Sequence, residues 1–157
     1  MARRITLPAP SEADVIQDRL YAIRTLLPAT LSPQQFLIMS MIAELTLGCG
    51  VKQRALSYAE IANGIWAKDG TPVHAGVGMT RTAVTAIIEH LCEARLLYRD
   101  RTYATRRGAN SRYRYAIGWK AVDTRITTLI SERSETRDAI NTAYILNTQG
   151  GPRDAVL

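Results

Sequence analysis

The chain has 157 residues, of which 46% are hydrophobic, which is enough for one domain with a buried core and short appendages. It carries 20 Lys and Arg against 14 Asp and Glu, and this net charge of +6 favours an anionic partner, most commonly nucleic acid. No apolar run approaches membrane-spanning length, and the basic N-terminus lacks the apolar core of a signal peptide. We therefore expect a cytoplasmic protein without a membrane partner.

The first predicted helix follows a proline-containing arm and begins at Ser11, which can cap it. Pro28 ends it. Its apolar stripe, at helical spacing, consists of Ile16, Leu20, Ile23 and Leu27. We assign residues 1–31 to this arm and helix.

Two capping boxes predict the next helices. Ser32 and Gln35 surround Pro33, which suits the first helical position, and Gly48 ends that helix. Ser57 and Glu60 open a short helix that closes near Trp66. The connection over residues 67–78 holds Pro72 and several glycines and is predicted to be a loop. It either touches DNA or is tolerated on the surface, and we favour the surface.

A fourth helix is predicted over residues 80–94, with Thr80 as its cap. Its buried stripe is Val84, Ile87, Ile88 and Leu91. The opposite face presents short or hydrogen-bonding side chains at the helix N-terminus, namely Thr80, Arg81, Thr82 and Thr85. Side chains of this kind on the first turns of a helix can meet base edges in a major groove. The alternative for Arg81 is an ion pair with Glu89.

A basic hairpin follows this helix. Residues 95–120 contain eight Lys or Arg and one acid, net +7, so the positive charge of the chain is concentrated there. Tyr113, Tyr115 and Ile117 alternate with arginines, which predicts a half-buried return strand. Gly108 and Asn110 supply the turn. The side chains over residues 99–114 that are predicted to contact the DNA phosphate backbone are Arg99, Arg101, Arg106, Arg107, Asn110, Ser111, Arg112 and Arg114.

The C-terminal segment, residues 119–146, is predicted to be helical from near Asp123. Its apolar stripe is Val122, Ile126, Leu129 and Ile130. The polar run at 131–138 allows either one helix with a solvated middle or two short helices. Residues 147–157 are expected to be loose. The N- and C-terminal stripes predict a homodimer contact, and the alternative is that they pack together within a monomer.

Three helices, a strand, a basic loop and a strand, over residues 32–118, resemble a winged helix-turn-helix domain. The phrase from Gly78 to Leu97 is similar to a recognition helix that runs into a wing. The stretch Gly108–Tyr115 is similar to the wing strand of phage and plasmid replication-associated winged helices. The resemblance implies a mainly α fold with a small β-hairpin, flanked by N- and C-terminal helices. The long 67–78 connection departs from the family pattern.

Catalytic, metal and cofactor sites are not predicted. His74, His90, Cys49 and Cys92 lack paired ligand spacing, and no motif has nucleophile geometry or a phosphate-binding glycine loop. We expect both cysteines to be buried free thiols. The sequence thus favours a bacterial, phage or plasmid DNA-binding transcriptional regulator that is not an enzyme. The alternatives are a replication or partition factor and a winged-helix protein-interaction module.

Overall fold

The computed structural model describes the backbone of residues 12–101 and 112–149, with side chains for all of these except 12, 14, 101 and 144–149. The fold is mainly helical, with a small antiparallel sheet. In chain order the elements are α1 (Glu12–Thr25), α2 (Pro33–Thr46), β1 (Arg54–Ser57), α3 (Tyr58–Asn63), β2 (Ile65–Trp66), β3 (Pro72–His74), α4 (Arg81–Glu93), β4 (Leu97–Arg101), β5 (Arg112–Ile117) and α5 (Trp119–Gln149). Short 3₁₀ turns at Leu27–Thr30 and Leu47–Cys49 follow α1 and α2.

Helix α2 is the centre of the core. It packs against α1, α4 and β5, and Ile38, Met39 and Ile42 on it are completely buried. Burial on several sides requires a helix that is apolar around most of its circumference. Both predicted capping boxes form: the Ser32 hydroxyl accepts from the Gln35 amide at 3.2 Å, and that of Ser57 accepts from the Glu60 amide at 3.1 Å.

Helix α1 uses its apolar stripe within the same chain. Leu20, Ile23 and Leu27 are buried in the core with α2, and Ile16 packs against them. The helix ends at Thr25, and Pro28 lies in the 3₁₀ turn that follows. The predicted use of this stripe in a homodimer contact is therefore wrong, because these side chains are already covered.

The principal sheet has three strands in the order β1–β5–β4, all antiparallel. The return strand β5 lies in the middle, and its buried residues Tyr115 and Ile117 face the helices. Strand β1 was not predicted, because four residues with only two apolar members carry too short a pattern to signal a strand.

The long connection between α3 and α4 is irregular over most of residues 67–78, as predicted, but Pro72–His74 forms strand β3, which pairs with β2 in a short hairpin. Helix α3 ends at Asn63, so Trp66 lies in β2 rather than near the helix end. The hairpin closes at its base. A Cβ atom on Gly64 would overlap the backbone of His74 and Ala75, and one on Gly76 would overlap the backbone of Asn63 and Gly64. The Val77 amide donates to the Ile61 carbonyl at 2.9 Å. The two ends of the hairpin thus lie side by side, and α3 packs on α4.

Helix α5 is continuous over 31 residues, about 46 Å, and begins at Trp119 rather than near Asp123. Val122 is fully buried in the core and Ile126 packs against it. Every residue from 131 to 143 is exposed. The polar run is therefore the solvated part of a single helix. None of the described helices is long and apolar enough to cross a membrane.

Candidate nucleic-acid interface

The first turns of α4 form the candidate groove-reading surface. The Thr80 hydroxyl caps the helix by accepting from the Ala83 amide at 3.2 Å. Arg81 and Thr82 are exposed on the first turn, and the half-exposed Thr85 donates its hydroxyl to the Arg81 carbonyl at 2.8 Å. On the opposite face Val84, Ile88 and Leu91 are completely buried, and Ile87 packs against the core. The amphipathic pattern therefore places all four predicted groove residues on one exposed surface.

The arginines of the wing sheet lie on two different faces. The register pairs Arg99 with Tyr115, so Arg99 shares the inner face with the tyrosines. Arg112 and Arg114 alternate with those tyrosines and are exposed on the outer face. The residues of β4 and β5 that were predicted to contact the DNA phosphate backbone consequently do not form one continuous surface.

Arg99 is held in a cluster of tyrosines on the inner face. Its Nη1 donates to the Tyr58 hydroxyl at 2.7 Å, and its guanidinium carbon lies 5.0 Å from the centre of the Tyr113 ring. The rings of Tyr58 and Tyr113 are 5.7 Å apart. These contacts join α3, β4 and β5, which makes Arg99 a link between the helices and the wing. Burial raises the pKa of the Tyr58 hydroxyl, and the cation of Arg99 partly offsets this rise.

The outer face pairs its arginines with acids. Arg112 and Glu60 of α3 form an ion pair at 3.0 Å. Arg114 lies directly across from Asp100 in the ladder. The Glu60 contact ties the start of β5 to α3, so Arg112 also supports the position of the wing strand.

Four predicted wing residues lie outside the described residues: Arg106, Arg107, Asn110 and Ser111. The side chain of Arg101 is also outside them, although its backbone is part of β4. Sequence reasoning missed the roles of Tyr58 and Glu60. The Ser57–Glu60 capping box located both on α3, but no local pattern shows that β4 and β5 pack beside them.

Tyr115 is completely buried, and within the described part of the chain its hydroxyl has no hydrogen-bond partner. Burial raises the pKa of this hydroxyl above its ordinary value, since the charged form would lie in an apolar site. Tyr115 is therefore a core residue, whereas Tyr113 is half-buried. Neither presents a ring to solvent in the way an exposed stacking residue would.

The histidines and cysteines do not come together. Among the residues whose side chains are described, no group of three His, Cys, Asp or Glu has metal-site geometry. His74 Nδ1 accepts from the Gly76 amide at 2.9 Å, and its Nε2 lies 3.6 Å from Glu44. Both cysteines are free, but Cys49 is exposed and Cys92 half-buried, so the prediction of two buried thiols is wrong.

Comparisons with known proteins add no relative: no protein-family model, no curated protein and no solved structure matches the chain. The candidate interface consists of the four side chains at the start of α4 and of strands β4 and β5, which are fixed to α3 through Arg99 and Arg112.

Proposed function

We propose that the chain is a winged helix-turn-helix protein that binds duplex DNA in a sequence-specific way and regulates transcription. Helix α4 would read the major groove, and the basic hairpin between β4 and β5 would contact the phosphate backbone. The element order α2–β1–α3–α4–β4–β5 supports this proposal, as does the sheet order β1–β5–β4. The β2–β3 insertion is compatible with it, because the closed base of the hairpin leaves α3 packed on α4.

The observation that carries the proposal is the exposed N-terminal surface of α4. Thr80, Arg81, Thr82 and Thr85 lie together there; the first three are exposed and Thr85 is half-exposed. A helix N-terminus favours phosphate through its dipole, and arginine can donate two hydrogen bonds to guanine. The segment of net +7 directly follows α4 along the chain. Neutralising phosphates with such a segment supplies most of the affinity for DNA.

A homodimer would pair two recognition helices across a two-fold site. The stripe of α1 is buried in its own chain, so α5 is the segment we propose for the contact. Its exposed part includes Ile140, at 64% relative exposure. A helix that projects into water without tertiary contacts is only marginally stable, and pairing with a second copy would stabilise it.

The dimer is tested by sedimentation at micromolar concentration, with the full chain compared with a chain cut after Ser131. This cut keeps Val122 and Ile126 in the core. We expect a dimer for the full chain and a folded monomer for the shortened one. A full chain that sediments as a monomer, both free and on its DNA site, rules the dimer out.

The second candidate is a replication or partition factor that binds an origin-like site and recruits other proteins. The β2–β3 hairpin favours it, because Trp66 and Val73 are 58% and 50% exposed there. Large exposed apolar residues mark surfaces for protein contacts. Sequencing the genomic fragments that the purified protein retains separates the two roles. Sites beside promoters indicate a regulator, and an array of repeats at an origin indicates the second role.

The DNA-reading role is tested by Arg81→Ala and Arg107→Ala in competition between a retained duplex and a scrambled one. Loss of Arg81 should cost about 1–3 kcal/mol on the retained duplex and relax sequence preference. Loss of Arg107, which the sequence places at the wing tip, should weaken both duplexes nearly alike. Equal losses on both duplexes for Arg81→Ala would mean that Arg81 contacts only phosphate.

A further inference from the structure

A cavity of about 330 Å³ lies at the other end of α4, where that helix, the start of β4 and the start of α5 meet. Three of its lining residues are cations, Arg95, Lys120 and Arg125, and the described lining contains no carboxylate. Tyr98, at 54% relative exposure, forms part of the wall. The size is that of a small-ligand site, and the charge favours an anion.

Arg95 occupies a backbone position that favours glycine. Its φ is +57°, the one positive value at a non-glycine residue within the described part of the chain. The Arg95 and Leu96 amides donate to the Cys92 and Leu91 carbonyls, each at 3.0 Å, which is the Schellman arrangement that ends a helix. Glycine is usual there because a side chain makes the left-handed conformation unfavourable. An arginine thus occupies a position where glycine would end the helix with less backbone strain.

The other two cations are also positioned by the backbone around the cavity. Arg125 donates from Nη1 to the Thr30 carbonyl at 2.9 Å, which holds its guanidinium beside α5. Lys120 is exposed on the first turn of α5, next to Gly118. A Cβ atom on Gly118 would overlap the Arg95 carbonyl, so α5 and the end of α4 are in direct contact at this point. Lys120 and Arg125 thus lie on helix α5, and Arg95 lies in the tight turn between α4 and β4.

We propose that this cavity binds a nucleoside monophosphate. Arg95, Lys120 and Arg125 would hold the phosphate, since charge-assisted hydrogen bonds from Lys and Arg are the usual way to bind it. The base would stack on the exposed ring of Tyr98. A bare phosphate ion would fill only a fraction of the volume and would leave the aromatic wall unused.

The site is distant from the proposed groove-reading surface, although Arg95 and Lys120 belong to the segment of net +7. Arg81 and Arg95 lie at opposite ends of α4, which is 13 residues and therefore about 20 Å long. Tyr98 is the second residue of β4 and lies opposite Ala116 of β5. The proposal does not rest on DNA binding and is tested without duplex DNA.

The test is isothermal titration of the full chain at low salt. AMP, GMP, CMP and UMP are added singly, beside inorganic phosphate and the nucleoside of the tightest ligand. We expect one site per chain, with the nucleoside and inorganic phosphate at least tenfold weaker than the nucleotide. Lys120→Gln and Arg95→Gly should each weaken the nucleotide about tenfold, because each loses a charge-assisted interaction. Lys52→Gln, an exposed cation outside the cavity, should bind as the native chain does.

Arg95→Gly also shows whether weaker nucleotide binding results from loss of the side chain or from unfolding of the protein. Glycine relieves the backbone conformation, so its thermal midpoint should equal or exceed that of the native chain while nucleotide binding falls. The proposal is overturned if none of the four nucleotides binds at millimolar concentration, or if both cavity variants bind as tightly as Lys52→Gln. A ten-nucleotide single strand that binds through these residues, without binding of mononucleotides, would assign the cavity to a nucleic-acid strand and overturn it as well.

Discussion

Replacing Arg99 by alanine separates two roles for this side chain, a DNA contact predicted from the sequence and a link between α3 and the wing. The replacement removes the 2.7 Å hydrogen bond to Tyr58 and the cation–π contact with Tyr113. A hydrogen bond to a charged group contributes about 1–2 kcal/mol when half-exposed, and an exposed cation–π contact about 0.5–1 kcal/mol. We therefore expect Arg99→Ala to lower the free energy of unfolding by about 1.5–3 kcal/mol.

Urea denaturation measures this change. Tyr58→Phe removes only the hydroxyl and should cost about 1–2 kcal/mol. In a double-mutant cycle the two residues should show a coupling of about 1 kcal/mol, since they share one hydrogen bond. The reasoning is refuted if Arg99→Ala changes stability by less than about 0.5 kcal/mol, the range of ordinary surface substitutions, and reduces the salt slope of DNA binding by about one unit. Arg99 would then be a phosphate contact.

Two further substitutions test the elements that position the candidate interface, each by thermal or urea unfolding. Gly76→Ala should lower the free energy of unfolding by more than about 2 kcal/mol, because φ is +80° and the new Cβ would overlap the Gly64 backbone. Its control is Gly70→Ala, at φ +84° in open space, which should lower it by only about 1 kcal/mol. Equal costs would mean that the base of the β2–β3 hairpin is not tightly closed. Ser32→Ala removes the cap of α2 and should cost about 1 kcal/mol, and an unchanged midpoint would show that the capping box contributes nothing.

Sequence patterns predicted the helices well where local chemistry determines them. The capping residues Ser32, Ser57 and Thr80 all start helices, because each hydroxyl satisfies an amide three residues on. The alternation of Tyr113 and Tyr115 with arginines correctly predicted strand β5. These signals depend on neighbours within four residues, so the local amino-acid sequence is sufficient to predict these elements.

The features that were missed depend on residues distant in sequence. Strand β1 is a strand because β5 pairs with it, and its own four residues carry little pattern. The inner position of Arg99 follows from the packing of β4 and β5 beside Tyr58, 41 residues away. The apolar stripe of α1 was correctly identified, but no pattern within it shows that α2 of the same chain covers it.

The central claim is that the concentrated positive charge binds duplex DNA, and the salt dependence of that binding tests it most directly. Affinity for a retained duplex is measured by fluorescence anisotropy between 50 and 200 mM salt. If a dimer makes roughly 6 to 10 phosphate contacts, the affinity should fall by about three to five decades over this range, linearly in log–log coordinates. An affinity that stays flat across the titration would contradict the account.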